Sequence, residues 1–144
     1  MPSYTATINS TWSLGDAFEY MSDFSNAAGW DPGVVAATRV DQGDVRLGSA
    51  FDLTVTFAGR ELVLRYRVDA IEIPKQVVFV ASTSRLVSTD TLTFENRDGG
   101  CRMTYHADLH FKGAAALANP LLALGFRRIG DRAAASLQRV LASS

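Results

Sequence analysis

From Val34 to Phe111 the sequence alternates apolar and polar residues in one strand-length run after another, and only short turns separate the runs. The clearest run is FDLTVTF at residues 51–57, in which every second side chain is apolar. Short connections join antiparallel neighbours, because a parallel pair needs a crossover of a dozen or more residues. With an N-terminal strand around residues 4–8, the pattern predicts a curved antiparallel sheet of six or seven strands. The alternation slips near Ala70, which predicts a β-bulge or a bend there.

Sequence patterns typical of helices occur both before and after the strand-forming region. Ser13 is a typical N-cap for a short helix over residues 14–21, and a second brief helical turn fits before the chain-breaking run from Gly29 to Gly33. Beyond residue 119 the apolar residues recur at every third or fourth position, which predicts one long amphipathic C-terminal helix. The whole order is typical of an α+β domain with a helix laid across its sheet.

Composition sets the broad class. A chain of 144 residues with 47% hydrophobic side chains has the size and apolar content of one domain, residues 1–144. The net charge of −1 leaves no basic surface for nucleic acid. No stretch approaches the roughly 20 apolar residues of a transmembrane segment, and the N-terminus lacks a signal-peptide pattern. We therefore expect a cytoplasmic protein, and the sequence does not indicate an oligomeric state.

The sequence contains no motif typical of metal binding, nucleophilic catalysis or phosphate binding. His106, Asp108 and His110 alternate on one strand face, but that face is the outward one and a third well-placed metal ligand is missing. Cys101 is the single cysteine and has no activating base nearby in sequence. There is no GxSxG-like nucleophile and no glycine-rich phosphate loop. The sequence predicts neither a metal nor a cofactor.

Three stretches of the chain resemble one protein family. They are AFEYMSDFSNAAGWDPGVV at residues 17–35, STDTLTFENRDGGCRMTYHADLHFKG at residues 88–113, and the Asn119–Pro120 start of the closing helix. All three are similar to the polyketide cyclase/dehydrase and lipid-transport family of START-like (Bet v 1-like, SRPBCC) domains. The resemblance implies a helix-grip fold, with a cavity between sheet and helix for a lipid, polyketide or other hydrophobic molecule. It implies no single reaction, because the fold serves carriers, receptors, cyclases and assembly factors.

The inward strand faces and the apolar stripe of the helix would line that cavity. The predicted ligand-contacting residues are Trp30, Phe51, Leu53, Val55, Leu64, Tyr66, Phe79, Asp90, Leu92, Tyr105, Phe126 and Ile129. Side chains of this kind also form the ordinary core of any two-layer domain. For Trp30, packing of the short helices against the sheet is the competing explanation.

Asp90 is the most informative polar residue of this set. The alternation of its strand puts the carboxylate on the same side as Leu92, where an unpaired charge is unfavourable. With a raised pKa it could take a proton alpha to a carbonyl, and Tyr66 or Tyr105 could donate a hydrogen bond to the enolate. The alternatives are a position near the strand's end, contact with solvent at the cavity mouth, or pairing with Arg85.

Gly125 and Gly130 interrupt the closing helix, where each glycine costs on the order of 1 kcal/mol relative to alanine. They either leave room for a ligand or let the helix approach the sheet closely.

Three functions fit these observations. The leading hypothesis is a small cytosolic protein that binds one hydrophobic or amphipathic molecule without covalent chemistry. The alternative is a polyketide cyclase or aromatase that uses acid–base catalysis in the same cavity, and the third is an assembly or interaction module with a vestigial cavity. Polar groups that converge in the cavity would favour the enzyme. A uniformly apolar lining would favour the binding protein, and an interior filled with side chains would favour the third class.

Overall fold

The computed structural model describes residues 3–57, 59–113 and 119–142, without the side chains of Phe57 and of residues 119–124. The elements in chain order are β1 (Ser3–Ser10), α1 (Leu14–Ser22), a 3₁₀ turn (Phe24–Asn26), α2 (Ala27–Trp30), β2 (Val34–Arg39), β3 (Ala50–Phe57), β4 (Arg60–Glu72), β5 (Gln76–Ser82), β6 (Leu86–Arg97), β7 (Gly100–Phe111) and α3 (Asn119–Ala142).

The seven strands form one sheet in the order β1-β7-β6-β5-β4-β3-β2, and every neighbouring pair is antiparallel. Five of the six strand pairs join strands that are consecutive in the chain, four of them through connections of two or three residues. In the sixth pair, β1 lies beside β7. The sheet curls into a half-barrel with α3 packed against it. The predicted α+β architecture is confirmed, including the two short helical segments after the first strand.

The phase slip in β4 is a β-bulge. Val68 pairs with Phe79 on β5, but the next pair joins Ala70 to Val78, so one residue of β4 is left over. Val68 is buried, whereas Asp69 and Ala70 are both exposed. The bulge predicted near Ala70 is therefore confirmed, and it adds local bend and twist to the sheet.

The Ser13 side chain caps α1, as the sequence predicts, by accepting a hydrogen bond of 3.2 Å from the backbone N–H of Asp16. This bond satisfies one of the free N–H groups in the first turn.

The 3₁₀ turn inserts Phe24 into the core of the half-barrel. Its ring stacks on Phe79 of β5 with the centroids 4.0 Å apart and the planes 4° from parallel. It also meets Tyr66 edge-on at 5.2 Å and Phe51 at 6.4 Å. Phe24 thus covers the inward faces of the strands that carry these three rings.

Hydrogen bonds tie the C-terminal end of α3 to the end of β1. The Ser10 hydroxyl donates to the Leu141 carbonyl over 2.7 Å, and the Thr11 N–H donates to the same carbonyl over 3.2 Å. The Gln138 amide donates to the Asn9 carbonyl over 2.8 Å. This end of the helix is therefore fixed to the sheet edge. Within the described part of the chain, no helix is both long and apolar enough to span a membrane.

Gly130 marks the closest approach of α3 to the sheet. A Cβ atom at this position would lie 2.6 Å from Cγ of Tyr4, well inside van der Waals contact. The Tyr4 ring is held over the helix by a hydrogen bond of 2.6 Å from its hydroxyl to Oδ1 of Asp131. At Gly125, by contrast, no described atom lies within 4 Å of the added Cβ. Of the two predicted roles, close helix–sheet packing applies to Gly130.

Alanine at these two glycines is expected to change stability in opposite directions. Gly125→Ala should raise the free energy of unfolding by up to about 1 kcal/mol, because alanine favours the helix and meets no obstacle. Gly130→Ala gains the same helical preference but must displace the Tyr4 ring, and overpacking costs about 1–3 kcal/mol. Chemical denaturation of both variants measures the difference, and a stabilised Gly130→Ala protein would contradict the close packing.

Candidate functional site

A cavity of about 140 Å³ lies between the sheet and α3. An apolar cavity of about this size in another protein accommodates benzene, so the free space matches one small ring or a short alkyl chain. Strands β1, β3, β4, β6 and β7 supply one wall, and the helix and the Trp30 turn supply the other. Of the residues predicted to contact a ligand, those that line the cavity are Trp30, Val55, Tyr66, Asp90, Tyr105, Phe126 and Ile129.

The other predicted contact residues face inward but lie outside the cavity wall. They are buried in the packed core and comprise Phe51, Leu53, Leu64, Phe79 and Leu92. Phe24 accounts for the two phenylalanines, because its ring occupies the space that a ligand beside them would need. Strand alternation identifies the inward face, but it does not distinguish a cavity position from one covered by another side chain.

Asp90 lies on the inward face of β6 and is only 7% exposed, so the predicted strand phase is confirmed. Its Oδ2 accepts a hydrogen bond of 2.5 Å from the hydroxyl of Tyr105 on β7. Strand register explains the contact: Asp90 pairs with Ala107, and Tyr105 is two residues away on the same face of the neighbouring strand. Its partner is thus a tyrosine, not Arg85.

Burial raises the pKa of Asp90 to about 7, and the negative charges of Asp31 and Asp108 act in the same direction. The hydrogen bond from Tyr105 opposes this rise because it stabilises the carboxylate. Near neutral pH the group therefore exchanges readily between its acid and base forms, which is the property that a general acid or base requires.

Asp31 is a cavity residue that the sequence analysis missed. It follows Trp30 in the turn after α2, and its Oδ1 accepts a hydrogen bond of 2.8 Å from the N–H of Gly33. Burial raises its pKa, while that hydrogen bond lowers it. An Asp ahead of Pro and Gly is an ordinary turn signal, so local sequence gives no reason to place this carboxylate against a cavity.

Tyr66 and Ser88 form a second polar pair on the cavity wall, with their hydroxyl oxygens 2.8 Å apart. Burial and the charge of Asp90 raise the pKa of Tyr66, and the same two effects raise that of Tyr105. Both phenols therefore stay neutral at physiological pH. We call Asp31, Tyr66, Ser88, Asp90 and Tyr105 the polar cluster; the charges of its carboxylates affect the pKa of both tyrosines.

Trp30 completes this end of the cavity. It is 3% exposed, and its ring meets that of Tyr105 edge-on with the centroids 5.6 Å apart. Among the described residues, nothing accepts a hydrogen bond from its Nε1–H. The Trp30 ring also packs near Phe24 in the core. Trp30 is therefore both a core residue and part of the cavity wall.

The side chains of His106, Asp108 and His110 alternate along β7 with the cavity residues Tyr105, Ala107 and Leu109, so they lie on the other face of the sheet. His106 Nε2 is 3.2 Å from Oδ2 of Asp108, and its Nδ1 is 2.6 Å from Oγ1 of Thr5. In the part of the chain that is described, no group of three His, Cys, Asp or Glu side chains has the arrangement of a metal site.

The curled antiparallel sheet, the long closing helix and the two short helical segments define a helix-grip domain of the START-like type. The chain belongs to the polyketide cyclase/dehydrase and lipid transport family, whose family model matches residues 1–142.

Solved structures with the same fold come from several sources. A START superfamily protein from Mycobacterium smegmatis is 14% identical, with 96% of this chain and 94% of that chain covered and a TM-score of 0.77. The di-domain ARO/CYC BexL from the BE-7585A biosynthetic pathway is 10% identical, with 99% and 50% covered and a TM-score of 0.74. For Ara h 8.0201 the identity is 15%, both coverages are 96% and the TM-score is 0.68. These likenesses establish the fold; no curated protein matches the chain in sequence.

Proposed function

We propose that this protein binds one small amphipathic molecule in its cavity without covalent chemistry. The observation that carries the proposal is the cavity of about 140 Å³, which has apolar walls and the polar cluster. The apolar part of the molecule would lie against Val55, Phe126 and Ile129. Its polar part would exchange hydrogen bonds with the cluster, because polar groups buried with a ligand need partners.

Blocking the cavity should abolish this binding. Val55→Trp places a large ring on the cavity wall, so the affinity for a neutral hydrophobic dye of about one aromatic ring is expected to fall at least tenfold. The matched control is Val63→Trp, because Val63 is 63% exposed on the outer face of the adjacent strand. Fluorescence titration should give about one dye per wild-type protein, and the dye should raise the melting temperature. Equal dye binding by both variants would contradict the proposal.

A second candidate is acid–base catalysis on the bound molecule, in the manner of a cyclase or aromatase. It is supported by the polar cluster itself, in which Asp90 has a pKa of about 7. The Asp90 carboxylate would take a proton alpha to a carbonyl while Tyr66 donates a hydrogen bond to the enolate oxygen. Tyr66 suits this role better than Tyr105, whose hydroxyl already donates to Asp90. The similarity to a di-domain ARO/CYC protein supports the same candidate.

Hydrogen exchange at the alpha carbon separates the two candidates without knowledge of the product. An enzyme should speed the uptake of deuterium by a small β-keto thioester in D₂O, followed by NMR. Asp90→Asn should reduce that rate at least tenfold, because amide nitrogen and oxygen are far weaker bases than a carboxylate. If the thioester binds and its exchange is the same with and without protein, the catalytic candidate is excluded and the binding proposal is retained.

A vestigial cavity would fit an assembly or interaction module, the third class. The free space between sheet and helix counts against it, since that class would be expected to fill its interior with side chains.

A further inference from the structure

The charges around the cavity have one sign. All lysine, arginine and histidine side chains of the sequence lie within the described residues, and none of them lines the cavity. Two carboxylates, Asp31 and Asp90, do line it. A charged group of a ligand therefore meets negative charge and no positive side chain on the cavity wall.

Neither carboxylate is neutralised within the fold. Asp90 accepts a hydrogen bond from Tyr105, and Asp31 accepts one from the Gly33 N–H, but among the described side chains neither forms an ion pair with Lys or Arg. Asp90 is buried and Asp31 is partly buried. A desolvated carboxylate without a cation is unfavourable, and a cationic ligand would offset that penalty.

A further feature of the same wall points to a cationic head group. The rings of Tyr4, Trp30, Tyr66 and Tyr105 also line the cavity, and aromatic rings attract cations through their quadrupoles.

We propose that the cavity selects a molecule with a protonated amine on a small apolar body and excludes carboxylates, including fatty acids. The inference rests on the proposed binding function and narrows its ligand class. An ammonium group would donate charge-assisted hydrogen bonds to Asp31 and Asp90, which are stronger than those of a neutral donor. A ligand carboxylate would meet two like charges and no counterion.

Three probes with the same ring and different head groups test this selection: benzylamine, benzyl alcohol and benzoate. At about pH 8, isothermal titration calorimetry is expected to give benzylamine about tenfold higher affinity than benzyl alcohol, the usual difference between charged and neutral hydrogen bonds. Benzoate should bind more weakly than the alcohol. Asp90→Asn and Asp31→Asn should each lower the affinity for benzylamine by a larger factor than the affinity for benzyl alcohol, because only the amine loses a charged partner. Asp98→Asn, at an exposed turn, is the matched control.

The outcomes separate this inference from the function on which it rests. Equal affinity of the amine and the alcohol, or tighter binding of benzoate, overturns the amine preference and leaves the binding function intact. If neither these probes nor the neutral dye bind, both proposals fail. Because the probe series is run on the wild-type protein, a variant that misfolds does not remove the test.

Discussion

Replacing Asp90 with asparagine is expected to remove a pH dependence that makes the wild-type protein less stable at about pH 8 than at about pH 4. In the folded state the pKa of Asp90 is about 7, against an ordinary value of 3.8. The folded protein therefore holds this proton more tightly than the unfolded chain, and stability falls as pH rises between these two values. At 1.36 kcal/mol per pKa unit, the loss is about 4 kcal/mol for a fully buried group.

The measurement is the difference in unfolding free energy between Asp90→Asn and wild type, followed by urea denaturation from about pH 4 to about pH 8. The difference should grow in favour of the variant as pH rises and level off above the Asp90 pKa. A difference curve removes the opposite contribution of Asp41, whose pKa is lowered chiefly by its hydrogen bond from Arg39. A flat curve for Asp90→Asn would show that this carboxyl is not desolvated.

Phe24→Ala is expected to destabilise the protein by about 3–5 kcal/mol, the usual cost of deleting a buried phenyl ring. The ring is 2% exposed and stacks on Phe79, so its removal leaves a void against β5. A loss of this size is a large share of the 5–15 kcal/mol by which a typical domain is stable. Urea denaturation with intrinsic fluorescence provides the measurement.

Phe126→Ala is the matched comparison for Phe24→Ala. Phe126 is partly exposed and lines the existing cavity, so truncation of its ring enlarges a free space instead of creating one. Its cost should be clearly smaller, and the variant should accept bulkier dyes. If both variants lost the same free energy of unfolding, the ring stacking around Phe24 would contribute no more stability than a ring on the cavity wall.

The sheet and the closing helix could be predicted because each has a periodicity that survives in a single sequence. Alternation in β6 was enough to place Asp90 on the inward face, and the slip near Ala70 was enough to predict the bulge. These are local properties of one strand. The family resemblance supplied the helix-grip arrangement that periodicity alone does not specify, and the sheet order and the similar solved structures confirm it.

The cavity wall could be predicted only in part, because it depends on contacts between residues far apart in the chain. Nothing local to Phe79 shows that Phe24, 55 positions earlier, covers its ring. The Tyr105 contact of Asp90 needs the exact register of β6 on β7. Asp31 was missed because its turn motif has a sufficient local explanation, the hydrogen bond to Gly33.

The hydrogen bonds to the Leu141 carbonyl fix the C-terminal end of α3, so any tilt of the helix would displace its other end most. Phe126 lies 15 residues from Leu141, about 22 Å along the axis at 1.5 Å per residue. A tilt of about 5° around Leu141 therefore moves the Phe126 end by about 2 Å, while the bonds to Ser10 and Thr11 at the pivot stay in place. Such a tilt would strain the exposed hydrogen bond between Tyr4 and Asp131, worth about 1 kcal/mol. We therefore expect the cavity volume to respond to the size of its occupant without any change in strand pairing.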